Sequence, residues 1–418
     1  MDMKIDRDVY LKQLIDKKHN RMIKIISGIR RCGKSYLLFE LFYQHLLDSG
    51  VKPDHIITLA LDGQEERAYR DPDVCYQFIK SHLVDKQMHY LLLDEVQLMK
   101  DFESVLNGLL RIKHLDIYVT GSNSRFLSTD VITEFRGRGD EIRVYPLGFA
   151  EFYSTKDCYW QEAWNEYVLY GGMPLTLSIS DPRQKMKYLS NLFQETYLRD
   201  IIDRNSLQKD EELEELINII ASGVGSLMNP NKLSNIFASV KHVKIASSTI
   251  TQYLNHLQNA FLISKAERFD IKGNHYINSP FKYYFVDSGL RNACLKFRQT
   301  EESHLMENII YNELCMRGFQ IDVGMVKIDE RKEGAREQKR LEVDFVANMG
   351  DKRFYIQSTL AMPTREKQEQ ETRSLRAIRD SFKKIIISQD ALGPHYDEHG
   401  VLILPLKTFL LDPESMHE

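Results

Sequence analysis

The chain has 418 residues, 43% of them hydrophobic, so it is long enough for roughly two to four domains with buried cores. Lys and Arg number 56 against 60 Asp and Glu, and the net charge of -4 excludes a simple polycation that coats nucleic acid or anionic membranes. Apolar runs fall far short of the ~20 residues that a membrane-spanning helix needs. Charged first residues without an apolar signal segment, and 5 cysteines without a CxxC pair, predict a cytoplasmic protein with free thiols and no membrane partner.

The first third of the chain alternates short apolar runs with helical patterns. The runs are residues 22–27, 56–61, 90–94, 117–121 and 142–145, and the helical patterns include 36–47 and 102–110. This alternation is typical of βαβ units and predicts an α/β fold with a parallel sheet covered on both faces.

A glycine-rich motif follows the first apolar run. Residues 28–35 read GIRRCGKS, which matches GxxxxGK[ST] between a strand and an amphipathic helix. Such a loop turns backbone N–H groups toward phosphate oxygens at the positive end of the helix. We therefore predict ATP and Mg²⁺ as cofactors, with Lys34 at the β- and γ-phosphates and Ser35 on the metal. The full set of predicted nucleotide contacts is Gly28, Arg30, Arg31, Cys32, Gly33, Lys34, Ser35 and Tyr36. The alternative is a glycine-rich turn with a surface lysine.

Two carboxylates end the third apolar run, YLLLDE. Asp94 at the tip of this strand is placed to hold the Mg²⁺ shell, and Glu95 to activate a water for attack on the γ-phosphate. Together they predict hydrolysis rather than binding alone. The alternative is a strand that simply meets solvent in acidic residues.

Further catalytic candidates follow the next strand. Asn123 is our candidate for orienting the attacking water, and the alternative is a turn residue that caps a short helix. Arg136 or Arg138 is expected to neutralise charge in the transition state, supplied in cis or by a neighbouring subunit. The second case requires a homo-oligomer, and a solvated basic turn is the alternative.

These motifs resemble the AAA-type P-loop ATPases of bacteria and archaea that carry a C-terminal domain of unknown function. The similar segments are GIRRCGKS, YLLLDEVQ, YVTGSNS, RGRGDEIRVYPLGFAEF, YGGMP, YLRDIIDR, KYYFVDSGLRNA and LEVDFV, and they cover nearly the whole chain. The resemblance implies the sheet order 5-1-4-3-2, a winged helix and a restriction-endonuclease-like fold. We predict an ATPase core at 1–150, an α-helical extension or lid at 151–212, a winged helix at 213–300 and a nuclease-like α/β domain at 301–418.

The predicted winged helix is locally basic. Residues 213–300 carry ten Lys or Arg against five Asp or Glu, a net charge of +5. Two helical patterns, starting near residues 233 and 247, precede strand-like pieces at 262–269 and 283–286, as in a helix-turn-helix with a wing. Candidate DNA contacts are Lys241, Lys244, Ser248, Thr251, Gln252, Asn255, Lys265 and Lys272. A lid or protein-docking module is the alternative.

The last segment predicts a second α/β domain. Its predicted helices are 303–317 and 364–382, and its predicted strands are 319–326, 341–347, 353–359, 384–388 and 401–404. Glu307, Asp344 and Gln357 follow the order of a PD-(D/E)xK nuclease, but Thr359 stands where that chemistry needs a lysine. We therefore expect a degenerate nuclease-like scaffold, with migration of the lysine function to Lys352 or Arg353 left open.

The predicted function is Mg²⁺-dependent ATP hydrolysis coupled to repositioning of the winged-helix and nuclease-like modules, with DNA as a candidate partner. Two alternatives stay open: an ATP-gated DNA endonuclease, and a nucleotide-dependent scaffold or switch that binds a protein partner.

Overall fold

The computed structural model describes residues 5–122, 137–205, 207, 210–240, 242–298, 301–332 and 335–417. The chain divides into two compact units, one of residues 1–146 with 259–261 and one of residues 147–258 with 262–418. Across these described ranges, every helix is too short or too polar to cross a bilayer.

The first unit contains the predicted parallel sheet. Its helices are α1 (Asp8–Asp16), α2 (the consecutive segments Lys34–Tyr36, Leu37–Phe42 and Tyr43–Asp48), α3 (Pro72–Ser81) and α4 (Phe102–Leu109). Its strands are β1 (Ile23–Ser27), β2 (Ile56–Ala60), β3 (His89–Asp94), β4 (Leu115–Gly121) and β5 (Gly139–Arg143). The strands of this part of the chain pair in the order β2-β3-β4-β1-β5, all parallel. The order implied by the resemblance is confirmed, with β4 between the acidic strand and the phosphate-loop strand.

The fifth strand differs from its prediction at 142–145. It is a polar edge strand, GDEIR, that pairs with β1, and of its five residues Ile142 is the buried one. The apolar signal therefore marked the carboxyl end of the strand and the segment after it. By contrast β1, β3 and β4 are buried along their whole length, as expected for central parallel strands.

A buried ion pair fixes the neighbourhood of β1 and β4. The Lys24 ammonium on β1 donates a hydrogen bond to the Asp116 carboxylate on β4, and both side chains are nearly inaccessible to water. The Tyr118 hydroxyl donates to the second oxygen of Asp116 at 3.0 Å. Burial lowers the pKa of Lys24, and Asp116 opposes that shift. Since an unpaired buried charge is costly, this pair disfavours any other order of the central strands.

The second unit contains helices followed by a mixed sheet. Its helices are α5 (Phe149–Tyr153), α6 (Trp160–Tyr170), α7 (the consecutive segments Pro182–Asn191, Leu192–Leu198 and Arg199–Asn205), α8 (Asp210–Ser222), α9 (Pro230–Val240), α10 (Ser247–Asn259), α11 (Ser288–Cys294), α12 (Glu302–Met316), α13 (Arg365–Arg376) and α14 (Leu406–Leu411). Its strands are β6 (Ile263–Asp270), β7 (His275–Phe285), β8 (Gln320–Lys332), β9 (Ala335–Met349), β10 (Lys352–Thr359), β11 (Lys383–Ser388), β12 (His395–Tyr396) and β13 (Leu402–Pro405).

These eight strands of the described residues form a single sheet in the order β12-β13-β11-β10-β9-β8-β6-β7. The hairpin of the predicted winged helix, β6 and β7, thus shares one sheet with the strands of the predicted nuclease-like domain, through parallel pairing of β6 with β8.

Helix α13 is shorter than the predicted helix at 364–382. It ends at Arg376 because the chain turns before β11. The Asp380 carboxylate accepts a hydrogen bond from the Phe382 amide at 3.2 Å and one from the Tyr355 hydroxyl at 2.6 Å, which holds that turn against β10.

Two of the sequence segments that carry the family resemblance, YGGMP and VDSGL, meet in the second unit. The buried Asp287 carboxylate accepts hydrogen bonds from the Leu290 amide at 2.9 Å, which caps α11, and from the Gly172 amide at 2.7 Å. Burial raises the pKa of Asp287 to about 6, against the effect of these amides. A Cβ at Gly289 would lie 2.1 Å from the Tyr170 carbonyl oxygen, so only glycine allows this approach.

We expect Gly289→Ala to lower the free energy of unfolding by about 1–3 kcal/mol, because the new methyl group displaces the Tyr170 backbone. The measurement is urea denaturation of the full chain, with circular dichroism as the readout of unfolding. Gly393→Ala is the matched control, since nothing lies within 4 Å of a Cβ there. Equal stability of the two variants would contradict the packing argument.

Candidate functional site

The loop at residues 28–36 is held in place by the segments before β1 and after β5. A Cβ at Gly28 would lie 2.2 Å from the Val144 carbonyl oxygen, and the backbone φ of Gly28 is +144°. The buried Arg7 guanidinium donates to the Cys32 carbonyl oxygen at 3.0 Å and to the Tyr145 carbonyl oxygen at 2.7 Å. The loop conformation is therefore fixed by glycine and by an arginine from outside the motif.

Lys34 begins α2 and turns its ammonium into the loop. Gly33 precedes it in the left-handed region, with φ 99°, as the residue at the amino end of the helix. The Lys34 Nζ donates to the carbonyl oxygens of Gly28 and Ile29, both at 3.1 Å. A lysine and a helix amino terminus at one concave loop provide the positive field that a triphosphate requires.

A hydroxyl and a carboxylate meet beside this loop. The Ser35 Oγ donates to the Asp94 Oδ2 at 2.7 Å, and the Thr120 hydroxyl donates to the other oxygen of Asp94. Burial raises the pKa of Asp94, and the hydrogen bonds from Thr120 and Ser35 oppose that rise. A serine hydroxyl next to a carboxylate is an oxygen donor set that fits Mg²⁺.

Glu95 is oriented by residues of β4 and of the turn after β3. Its backbone is in the left-handed region, with φ 51°, and its amide donates to the Thr120 Oγ1 at 2.9 Å. Its Oε2 accepts from the Ser122 Oγ at 3.1 Å and from the Gln97 side-chain amide. This strained position turns the side chain toward β4, where a hydroxyl and an amide determine its direction.

The other predicted residues lie as follows. The Arg30 Nε lies 3.4 Å from the Ser122 Oγ, and the Tyr36 hydroxyl accepts from the Ile5 amide at 3.3 Å. Arg31 is exposed. Arg138 is also exposed, and its carbonyl accepts from the first amide of β1. Asn123 and Arg136 lie outside the described residues.

Sequence reasoning assigned no role to four contributors: Arg7, Gln97, Thr120 and Ser122. Thr120 and Ser122 alternate along β4 and its continuation, which lies between β1 and β3. The combination of that strand order with the two-residue period of a strand was the signal that could have found them. Gln97 closes the segment YLLLDEVQ, two residues after Glu95, whereas Arg7 belongs to no motif and reaches the loop only in the folded chain.

A second charged cluster lies at the predicted nuclease-like centre. The Lys282 Nζ on β7 lies 2.9 Å from the Glu307 Oε1 on α12, 2.7 Å from the Glu342 Oε1 and 3.8 Å from the Asp344 Oδ1 on β9. The Lys282 side chain is 3% exposed. Burial would lower its pKa, but the carboxylates of Glu307, Asp344 and Glu342 raise it above the ordinary value. We call these four residues the Lys282 centre.

The three predicted residues Glu307, Asp344 and Gln357 lie together at this centre. The Gln357 Oε1 lies 3.4 Å from the Asp344 amide, next to the Lys282 centre. Thr359 is buried and donates to the Ala361 carbonyl oxygen at 3.3 Å. Of the two residues considered for the lysine function, Lys352 is exposed and Arg353 donates to the Asn348 side chain at 2.7 Å.

Helix α10 exposes the predicted DNA-facing residues. Ser248, Thr251, Gln252 and Asn255 are exposed, whereas Ile250, Tyr253, Leu254 and Leu257 are buried. Lys244 and Lys272 are exposed, Lys265 pairs with Glu267 at 2.7 Å, and Lys241 lies outside the described residues.

Four of the charged residues counted in the basic segment are buried. Lys282 and Arg291, which contribute to its net charge of +5, are both buried. Asp270 and Asp287 are buried as well, so two cations and two carboxylates leave the surface together and the excess of positive charge there is unchanged.

The sequence comparisons decide the family. A family model described as an AAA domain matches residues 20–153, and a model described as a domain of unknown function (DUF8612) matches residues 161–301. An uncharacterized protein of Haemophilus influenzae is 34% identical over 97% of this chain and 98% of its own length. The chain belongs to the AAA-type P-loop ATPase family of bacteria and archaea. An uncharacterized protein of Methanocaldococcus jannaschii is 26% identical over 90% of this AAA-type chain and 82% of its own length.

Solved structures resemble the chain only loosely. The Aeropyrum pernix ORC1 protein in complex with DNA matches with a TM-score of 0.30 and 12% identity over 70% of this chain and 93% of its own. Cdc6p from Pyrobaculum aerophilum matches with a TM-score of 0.30 and 13% identity over 71% and 96%. Such low scores carry no weight for the fold or function of this AAA-type chain.

Thr120→Val tests the hydroxyl that joins Asp94 to Glu95. We expect a loss of about 1–3 kcal/mol in the free energy of unfolding of the first unit, because a buried carboxylate and an amide both lose their partner. The measurement is denaturant unfolding, and the control is Thr58→Val at an exposed position of β2. Equal destabilisation by Thr120→Val and Thr58→Val would contradict a stabilising role for the hydrogen bonds of the Thr120 hydroxyl.

Proposed function

We propose that the protein binds ATP and hydrolyses it with Mg²⁺ in the first unit, and that it does so in the cytoplasm. The arrangement of Ser35, Asp94, Thr120 and Glu95 carries this proposal: a metal-binding hydroxyl and carboxylate stand beside a glutamate whose direction is fixed by two further side chains.

Each residue has a distinct role in the proposed reaction. The amides of the loop and the Lys34 ammonium bind the β- and γ-phosphates. Ser35 and Asp94 hold Mg²⁺, which when bound neutralises charge on the phosphates. Glu95 accepts a proton from the water that attacks the γ-phosphorus, the bond from that phosphorus to the β–γ bridging oxygen breaks, and ADP and phosphate leave. Asn123, Arg136 and Arg138 remain proposed helpers, and an arginine supplied by a neighbouring subunit would make the active form a homo-oligomer.

Two substitutions test the assignment of the ATP site. Lys34→Ala should abolish binding of a fluorescent ATP analogue, because the phosphates lose their lysine. Glu95→Gln should bind ATP as the wild type does and lower hydrolysis at least about 100-fold, the scale of a positioned general base. Lys52→Ala and Glu65→Gln, at exposed positions, are the matched controls. Loss of binding in Glu95→Gln would show that Glu95 is wrongly assigned.

We also propose that α9, α10 and the hairpin β6–β7 act as a winged helix that binds duplex DNA. The polar exposed face of α10 supports this proposal, since side chains on such a face are suited to base edges while neighbouring lysines contact phosphates. ATP hydrolysis would then reposition this module on DNA. The competing use of the same surface is docking of a protein partner.

DNA binding should weaken as salt rises, because each phosphate contact releases counterions. Lys244→Ala should reduce the slope of log K against log salt by about 1, and Gln252→Ala should lower affinity without changing that slope. Fluorescence anisotropy with a labelled duplex measures both, with the exposed Lys407→Ala as control. Absence of binding at low salt would favour the protein-docking alternative.

We further propose that the Lys282 centre is not a metal-dependent nuclease site. Carboxylates from α12 and β9 would suit a divalent cation, but the Lys282 ammonium lies among them and satisfies Glu307 and Glu342 with hydrogen bonds. The Tyr284 hydroxyl also donates to Glu307 at 2.6 Å. The lysine replaces the metal as the internal cation, which leaves a nuclease-like scaffold.

Lys282→Ala tests this replacement. Removing the cation from among buried carboxylates should lower stability by about 3–5 kcal/mol, and millimolar Mn²⁺ should restore part of that loss by taking its place. Thermal unfolding with and without Mn²⁺ measures both effects. The double variant Lys282→Ala with Asp344→Asn should show no restoration. Mn²⁺-dependent DNA cleavage by the wild type, lost in Asp344→Asn, would instead establish the endonuclease alternative.

A further inference from the structure

Two histidines and an aspartate meet at the amino-terminal edge of the sheet of the first unit. His55 directly precedes β2, His89 is the first residue of β3, and Asp85 lies in the turn before β3. One ligand atom from each of the three lies within 4.8 Å of the others. Both histidines are buried and Asp85 is exposed. We infer that this cluster is a binding site for a divalent transition-metal ion of the zinc class.

The spacing of His55 and Asp85 suits a metal ion. The His55 Nε2 lies 3.2 Å from each carboxylate oxygen of Asp85. Zinc bonds to nitrogen and oxygen of about 2.0–2.2 Å, set at the tetrahedral angle, separate neighbouring donor atoms by about 3.3 Å. An ion therefore fits against these two side chains without moving them apart.

His89 is in the form that binds metals. Its Nδ1 lies 2.8 Å from the Gln87 carbonyl oxygen, and its Nε2 accepts a hydrogen bond from the Val84 amide at 3.2 Å. Because an amide N–H can only donate, the Nε2 carries a lone pair and the Nδ1 carries the proton. A deprotonated imidazole nitrogen is what a metal requires, and an ion bound to the His89 Nε2 would take the place of the Val84 amide there.

The partners of the other ring nitrogens follow the pattern of known metal centres. The His55 Nδ1 lies 2.7 Å from the Asp54 Oδ1, and the His89 Nδ1 faces a backbone carbonyl. In metal sites the histidine ligands donate their second N–H to a carboxylate or carbonyl, which fixes the ring and the tautomer. The two rings stack with centroids 4.6 Å apart, so the histidines contact each other directly.

The donor set selects the class of ion. Two imidazole nitrogens and one carboxylate favour zinc and its neighbours, whereas Mg²⁺ and Ca²⁺ prefer oxygen ligands. Three protein ligands leave at least one coordination position for water. The ion would tie the turn at residues 83–88 to the segment before β2, on the opposite sheet edge from the phosphate loop.

The test is calorimetric titration of the chelator-treated full chain with ZnCl₂, together with visible absorption of the Co²⁺ form. We expect one ion per chain at this cluster, lost in Asp85→Asn and in His89→Gln. Asp54→Asn should lower affinity about 10- to 100-fold, as removal of an outer hydrogen-bond partner does. His82→Ala, an exposed histidine outside the cluster, should bind as the wild type does.

Asp85 and Asp54 are exposed, so their variants should keep the fold, and binding of an ATP analogue checks this for each protein. If His89→Gln fails to fold, zinc binding by Asp85→Asn and Asp54→Asn decides whether the cluster is the metal site. Zinc binding by Asp85→Asn with wild-type stoichiometry and affinity, or absence of stoichiometric binding in the wild type, would overturn the proposal.

Discussion

The Thr120 hydroxyl joins the two acidic residues on which the proposed chemistry depends. It donates to Asp94 and accepts from the Glu95 amide, so one side chain on β4 holds both the carboxylate proposed to bind the metal and the turn that directs the Glu95 side chain. This contact depends on the pairing of β4 with β3, and β4 pairs with β1 on its other side. The buried pair of Lys24 and Asp116 in turn holds β4 against β1, so the geometry of the site depends on the strand order.

The sequence predicts the elements that depend on local pattern and misses those that depend on tertiary contacts. The loop at 28–35 and the strand that ends in Asp94 follow from spacing and apolar runs alone. Strand β5 was misplaced, since a polar edge strand carries a weak apolar signal. Arg7 lies more than 20 residues before Cys32 in the chain, and no motif links it to the loop whose carbonyl it binds.

The Lys282 centre shows a second limit of prediction from sequence. Thr359 stands where the nuclease pattern has a lysine, and the cation that pairs with Glu307 and Glu342 comes from β7, in the neighbouring predicted domain. Lys282 also contributes to the net charge of +5 of residues 213–300, but it is buried. Charge counts along a chain do not show which charges meet in the folded protein, and the partner of a buried carboxylate is not bound to lie near it in sequence.

The pairing of β6 with β8 has a consequence for dissecting the protein. Residues Arg268–Asp270 of β6 pair in parallel with Val323–Met325 of β8. A fragment that ended at residue 300 would leave one side of β6 without its neighbour, and a fragment that began at 301 would expose the same side of β8. Unpaired strand edges recruit other chains. Expression of either half alone should therefore favour self-association, whereas a fragment that keeps residues 147–418 together preserves the pairing of β6 with β8.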